Sequence, residues 1–463
     1  MHLKTGFERI INSPTITTWL NLISKSSSLI ILIPLIYNYL SSYEIVNWFL
    51  ILTVLSFISI FDFGLLPNTT RIFSRVIGEN RKTNSQVERA YKTGNVISTT
   101  KKTYKHLTVL VFFVGIIIGY SYLYSRFDQM LSTHRIILIL MVFLSGCLAI
   151  YNNFYLSLLN GKLMVSLTQR TLAMINILVV IASAITLMIT KSFFFTTLVF
   201  ISNHILSFFI LQNLSKKMLK KELETVKRIK YKRFSFKSEV ISSSWKSGVG
   251  VFFSLGLINA YSFIVVELFS DQTSAMYMFY VQIARAISSF SQAPFYSHIP
   301  NFNQLYGEGK IKKFTEQIHQ KFNLSLLTYF VLVLLSTLIL PYFVKAFNIQ
   351  QAFLVNKFWF WLVISFYTER IYGVLIQTLS ISKMIVWHWS NGTLALIALA
   401  IVFLFTENKT INLFPISVTL SYVFFGIPVI YMLLKSKMKI YLHKPVLIHL
   451  GIVLMIILIY DLV

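Results

Sequence analysis

The chain has 463 residues, 56% of them hydrophobic and only 13% charged, where a soluble domain carries about 25% charged residues. Its mean hydropathy is +0.68, and apolar runs of about 20 residues recur along its length, each long enough to cross a hydrocarbon core of about 30 Å. This composition excludes a substantial soluble domain and reads as a polytopic membrane protein. The formal charge of +26 raises nucleic acid as a partner, a reading that the placement of the charges excludes below.

In chain order, the predicted spans are 15–40, 44–66, 106–125, 136–159, 171–190, 193–213, 241–269, 274–298, 322–345, 353–380, 384–405 and 411–434. A candidate thirteenth lies at 446–462. No cleavable leader is expected, because the basic start "MHLKTGFERI" runs into a segment too long and too polar for an h-region. With a cytoplasmic N-terminus, the inner segments hold 33 of the 42 Lys and Arg, eleven of them in 215–246 and nine in 71–105. The outer segments hold six: Arg126, Arg135, Lys191, Lys345, Lys357 and Lys409. That asymmetry is the positive-inside pattern. The charge therefore reports topology, and its expected partners are anionic lipid headgroups rather than nucleic acid.

The twelve spans divide at "NLSKKMLKKELETVKRIKYKRFSFK" (213–237), a polar basic segment with helical spacing. The expected organisation is an N-lobe at 1–214, a cytoplasmic linker at 215–240, a C-lobe at 241–435 and a basic tail at 436–463. The halves carry weak internal symmetry. At an offset of 229, "IFSRVIGEN" (72–80) falls on "NFNQLYGEG" (301–309), and "LSSYEIVNWF" falls on "FSDQTSAMYM" at the start of each second span. The fold class expected is thus an all-α membrane protein of two six-helix lobes, related by an internal repeat around a central cavity.

Enzyme and cofactor motifs are missing. "GEGK" (307–310) lacks the spacing of a phosphate-binding loop, and no kinase motif accompanies Asp62-Phe63-Gly64, which closes a span. The nine histidines are scattered, with His204 and His388 inside spans, and Cys147, the one cysteine, lies in an apolar run. Disulfides and cysteine-based metal sites are excluded, and no catalytic residue, metal or cofactor is expected.

Three cations stand at mid-span: Lys25, Arg285 in "YVQIARAISSF" and Arg370 in "SFYTERIYG". An ionisable group near the bilayer centre costs about 2.5–3.5 kcal/mol by insertion scales, so it normally faces a cavity or a partner. Lys25 lies ten residues past Thr15, or about 15 Å along a helix, beyond the reach of a lysine stem. The three are expected either to share a cationic cavity that binds an anion such as phosphate, or to pair locally, for instance Arg370 with Glu369 or Glu267. Serines 24 and 26–28, Asn259, Tyr261, Gln282, Ser288, Ser289 and Gln292 add hydroxyl and amide groups suited to sugar, though small polar residues also favour close helix packing. Pro34, Pro294, Pro415 and Pro428 mark expected bends.

The second span ending in "FDFGLLPNTTRIFSRVIGENRK" resembles the aspartate-(x)-glycine-leucine signature and basic loop of Wzx-type polysaccharide flippases. The stretch "VVELFSDQTSAMYMFYVQIARAISSFSQAPFYSHIPNFNQLYGEGK" is similar to that family's seventh-to-eighth span region, although Glu267 and Asp271 stand where relatives commonly have an Asp-Arg or Asp-Lys pair. The resemblance implies the multidrug/oligosaccharidyl-lipid/polysaccharide exporter fold, two six-helix bundles forming a V. It implies a multi-pass protein of the bacterial inner membrane that moves undecaprenyl-pyrophosphate-linked oligosaccharide, an O-antigen repeat unit, to the periplasmic leaflet by alternating access. A polysaccharide polymerase and a chain-length regulator are the protein partners it suggests. In this reading Lys25, Arg285 and Arg370 hold the pyrophosphate, and Asp62 closes a cytoplasmic gate by pairing with Arg71 or Arg75. Glu267, Glu369 and Gln282 support the site. The alternatives are a MATE-like cation-coupled drug antiporter and a membrane polymerase of the same pathway; short outer loops disfavour the latter.

Overall fold

The computed structural model describes residues 14–80, 86–162, 164–218, 242–296, 298–307, 310–346, 357–382, 384, 386–405, 410–438, 449 and 451. The first half of the chain forms α1 (Pro14–Tyr39), α2 (Ser42–Ile60), α3 (Leu65–Asn80), α4 (Gln86–Arg126), α5 (Ser132–Gly161), α6 (Val165–Thr190) and α7 (Phe193–Met218). The second forms α8 (Ser242–Leu268), α9 (Asp271–Tyr296), α10 (Ile299–Gly307), α11 (Ile311–Ala346), α12 (Lys357–Ile381), α13 (Trp387–Leu404) and α14 (Leu413–Met438). No strand occurs among the described residues.

Ten of these helices are long and apolar enough to cross a membrane. Two more, α9 with 26 residues and α12 with 25, reach about 38 Å at 1.5 Å per residue and fall short in composition alone. They are the helices that carry Arg285 and the pair Glu369-Arg370. Counting them gives the twelve spans read from the sequence. Large apolar side chains such as Ile117, Ile189, Tyr342 and Leu404 are more than 70% exposed. A soluble surface rarely gathers so much apolar area; a lipid-facing one requires it. The thirteenth span expected at 446–462 lies outside the described residues except His449 and Gly451.

The internal repeat extends to how the helices begin. Ser41 caps α2 with a reciprocal capping box: its amide donates to Glu44 Oε2 at 3.0 Å and its hydroxyl accepts from the Glu44 amide at 3.4 Å. Ser270, 229 residues later, accepts from the Thr273 amide at 3.4 Å at the start of α9. Each of these helices is followed by a short helix, α3 or α10, and then by a long one, α4 or α11. The sequence reading treated α3 and α10 as loop because neither is apolar. Packing recurs as well: α5 lies against α2, α4 and α7 as α12 lies against α9, α11 and α14.

The chain divides into two compact units, Met1–Asn259 and Ala260–Val463. The division falls within α8, and residues 219–240 of the linker lie outside the described ones. In the first unit, Phe252 of α8 packs on Phe57 and Phe61, both at 6.1 Å, and Asn259 Nδ2 donates to Ser56 Oγ at 3.3 Å. In the second unit, Tyr261 hydrogen-bonds Ser417 of α14 at 2.9 Å.

α2 breaks at residues 61–64. Phe63 (φ 48°) and Gly64 (φ 68°) are left-handed, a region costly for all but glycine. Pro67 sits in the first turn of α3, where its missing N–H costs nothing. Gly248 of α8 meets this break backbone to backbone: a Cβ there would lie 2.5 Å from Phe63 Cα. In α14, the segment Tyr422–Gly426 is π-helical just before Pro428, which lacks the N–H an unbroken helix would use.

Candidate functional site

In the second unit, α9 presents Arg285, Ser288 and Gln292 along one stripe, because residues three and four positions apart share a helix face. α12 packs on α9 and supplies Glu369 and Arg370. Arg370 is only 2% exposed. Its Nη2 donates to Ser288 Oγ. The Gln292 amide, with its oxygen toward the guanidinium, accepts from Nη1 at 3.0 Å and from Nη2 at 2.8 Å. This two-toothed grip on one amide oxygen and a hydroxyl fixes the guanidinium plane.

Arg285 and Glu369 differ from Arg370 in being half-buried. They lie within electrostatic reach of each other, and Glu369 also faces the Arg370 charge. One carboxylate thus lies in the field of two guanidiniums. Tyrosines surround the group: Tyr277 beside Arg285, and Tyr296, Tyr329 and Tyr422 beside Glu369 and Arg370. Their positions are fixed from behind. Tyr329 donates to the Val363 carbonyl at 2.9 Å, Gln377 donates to the Tyr296 oxygen at 3.0 Å, and the π-helical turn of α14 sets Tyr422.

The first unit holds a second polar group, built from amides. Asn21 of α1 donates to Gln169 of α6 at 2.5 Å; Asn176 of α6 donates to Asn21 Oδ1 at 3.2 Å and Ser24 Oγ at 3.3 Å. Asn203 of α7 donates to Asn176 Oδ1 at 2.8 Å. This chain ties α1, α6 and α7 together at the membrane interior, where such bonds have few competing partners. Lys25 is the next residue after Ser24; its side chain remains accessible and faces His204 of α7. The sequence reading singled out Lys25 and the serines but missed Asn21, Gln169, Asn176 and Asn203. The available signal was an Asn or Gln at mid-span in each of α1, α6 and α7.

The other residues singled out in the sequence fall as follows. Asp62 is 8% exposed and accepts from Asn153 Nδ2 at 3.0 Å and the Leu66 amide at 3.1 Å, capping α3. The side chains of Arg71 and Arg75, its expected partners, lie outside the described residues. Glu267 is exposed in the last turn of α8, and the carboxylate facing Arg370 is Glu369. Gln282 is half-buried on α9, one turn before Arg285. Asn259 and Tyr261 are buried and bonded within their units, so they are packing groups. The structure therefore brings Arg285, Glu369 and Arg370 together in one unit and sets Lys25 in the other.

The sequence matches no protein-family model and no curated protein. Solved structures do match. The inward-facing form of a multidrug resistance MATE family transporter of the MOP superfamily aligns with a TM-score of 0.60 at 13% identity, over 90% of this chain and 99% of that one. The outward-facing form of a multidrug resistance MATE family transporter of that superfamily aligns at 0.60 and 13%, over 93% and 98%. A variant of the Vibrio cholerae MATE transporter VcmN aligns at 0.55 and 14%, over 94% and 99%. At these identities the likeness is one of architecture: this chain is an all-α, multi-pass membrane protein with the fold of the MATE family transporters of the MOP superfamily.

Proposed function

We propose that the protein is a flippase that carries an anionic, sugar-bearing lipid, of the undecaprenyl-pyrophosphate-oligosaccharide class, across the bilayer by alternating access. The observation that carries this reading is the charge at mid-membrane depth. Among the described residues, the second unit sets Arg285 of α9 and Arg370 of α12 within electrostatic reach of one mid-helix carboxylate, Glu369, and the first unit carries the mid-helix cation Lys25 on α1. Guanidiniums suit phosphate oxygens geometrically as well as electrostatically. Of the tyrosines near this group, Tyr296 is half-buried and offers a face of the kind sugars use, while Tyr277, Tyr329 and Tyr422 are buried. A cationic drug meets the opposite field: at an effective dielectric of about 20, a like charge about 7 Å away costs about 2 kcal/mol, near thirtyfold in affinity.

The polysaccharide pathway enters through the resemblance of "FDFGLLPNTTRIFSRVIGENRK" to the Wzx-type flippases, and an O-antigen repeat unit in the bacterial inner membrane follows from it. The fold suits the MATE-like drug antiporter equally, so the test compares cargoes. Purified protein is reconstituted into liposomes with a fluorescent polyprenyl-pyrophosphate disaccharide, and translocation is read by loss of accessibility to dithionite. In parallel, ethidium efflux is followed under sodium and proton gradients. Movement of the lipid-linked sugar, abolished in the Arg285→Ala variant, is expected. Gradient-driven ethidium efflux without lipid movement would sink the proposal in favour of the antiporter.

A further inference from the structure

The two guanidiniums of the second unit are not equivalent, and the difference assigns a role to Glu369. Arg370 is buried and its fork is already engaged by Ser288 and Gln292. At 2% exposure it is closed to a ligand. Arg285 stands one turn along α9 from Ser288, on the same stripe, and is half-buried; Glu369, next to Arg370 in α12, is half-buried and within electrostatic reach of both cations. The carboxylate thus lies in the field of a fixed, buried cation and of a more accessible one.

We propose that Glu369 is a resident counter-ion that holds Arg285 in the empty transporter and yields it to the phosphate of the cargo, with Arg370 acting as the positioning residue that keeps Glu369 in place. The proposal deepens the anionic-cargo reading and rests on it. An accessible cation at mid-membrane depth needs a counter-charge when no cargo is bound, since an uncompensated one is costly. A carboxylate meets that need, and it then competes with the incoming anion for one guanidinium and repels it. Loading becomes an exchange of ion-pair partners rather than capture by a free cation. Release is assisted by the same group, because Glu369 reclaims Arg285 as the phosphate leaves. Affinity is lowered in favour of turnover, which is what a carrier needs, since an anion held too tightly is not delivered.

The test measures binding of inorganic pyrophosphate, and of a short isoprenyl pyrophosphate, by calorimetry to the full chain in nanodiscs. Wild type should bind both. Glu369→Gln, which removes the competing charge but keeps the shape, should bind about tenfold or more tightly while moving lipid-linked sugar more slowly. Arg285→Gln should lose binding, and Glu369→Gln added to it should restore little. Unchanged or weaker pyrophosphate binding by a Glu369→Gln protein that melts like wild type would overturn the counter-ion role and leave the anionic-cargo reading standing. No pyrophosphate binding by wild type would overturn the cargo reading itself. If Glu369→Gln is not recovered folded, Glu369→Asp takes its place: a shorter carboxylate grips Arg285 less firmly, so affinity should rise by a smaller factor. A fall would refute the exchange. Arg370→Lys, which loses the fork but keeps a charge, should weaken the competition and tighten pyrophosphate binding in the same direction; a purely structural role for Arg370 would lower stability without moving affinity.

Discussion

Replacing Arg370 with alanine tests how the second unit tolerates charge in a membrane. The variant removes the donors for Ser288 Oγ and for the Gln292 amide oxygen, both supplied by one guanidinium that is 2% exposed. It also leaves Glu369 with Arg285 as its remaining guanidinium partner. Deleting the charged donor to Ser288 and Gln292 costs about 3 kcal/mol or more, at about 1.5–3 kcal/mol for each hydrogen bond to a charged group. For a unit of roughly 200 residues, each kcal/mol moves the melting temperature by about 2–4 °C, so Arg370→Ala should melt at least about 6 °C below wild type. Arg370→Lys restores the charge without the fork and should recover part of that loss. The assay is intrinsic tryptophan fluorescence during thermal unfolding in detergent, with Arg285→Ala as control. Arg285 is half-buried, so its variant should melt closer to wild type. An Arg370→Ala protein that melts within about 1 °C of wild type, or an Arg285→Ala protein that falls further, would refute the division between a fixed and an accessible guanidinium.

Gly248→Ala places a methyl group 2.5 Å from Phe63 Cα; backbone cannot yield as a side-chain end can, so a loss of about 1–3 kcal/mol is expected in thermal unfolding. Wild-type stability would show that the α8 contact with the α2 break is loose. Asn176→Ala removes three hydrogen bonds, to Asn21, Ser24 and Asn203. At about 0.6 kcal/mol for each such bond in a membrane protein, the expected cost is about 2 kcal/mol, and a smaller one would mean that the amide chain does not tie α1, α6 and α7. Ser41→Ala and Ser270→Ala each remove a helix N-cap and should cost about 1 kcal/mol apiece. Because the two caps lie in different units, their effects should add within about 0.5 kcal/mol in the double variant.

Much of this was legible in the sequence because the membrane imposes strong rules. Span lengths and the alternation of Lys and Arg gave the twelve crossings, and the 229-residue offset pointed to the repeat that Ser41 and Ser270 bear out at the helix starts. Arg285 and Arg370 stood out as charges inside apolar runs. Which of them is engaged could not be read, since that depends on which stripe of α9 meets α12. Asn21 and Asn176 were passed over for a related reason: they are 155 residues apart and isolated in their own helices. An amide in a membrane helix announces no partner until the fold supplies one. α3 and α10 were missed because short polar helices have neither span length nor apolar periodicity.

The recurrence of α2–α7 as α9–α14 bears on how such a chain could arise. Each half crosses the bilayer six times, an even number, and so returns to the side from which it started. Tandem duplication of one such gene would therefore insert both copies in the same orientation. Every basic loop would stay on its original side with no need for the ancestral sequence to tolerate both topologies. A half with an odd number of crossings would have been inverted on duplication, and its charge bias would have opposed its own insertion. The two halves were then free to diverge in their interiors, one toward amides around a lysine and the other toward a carboxylate in the field of two arginines.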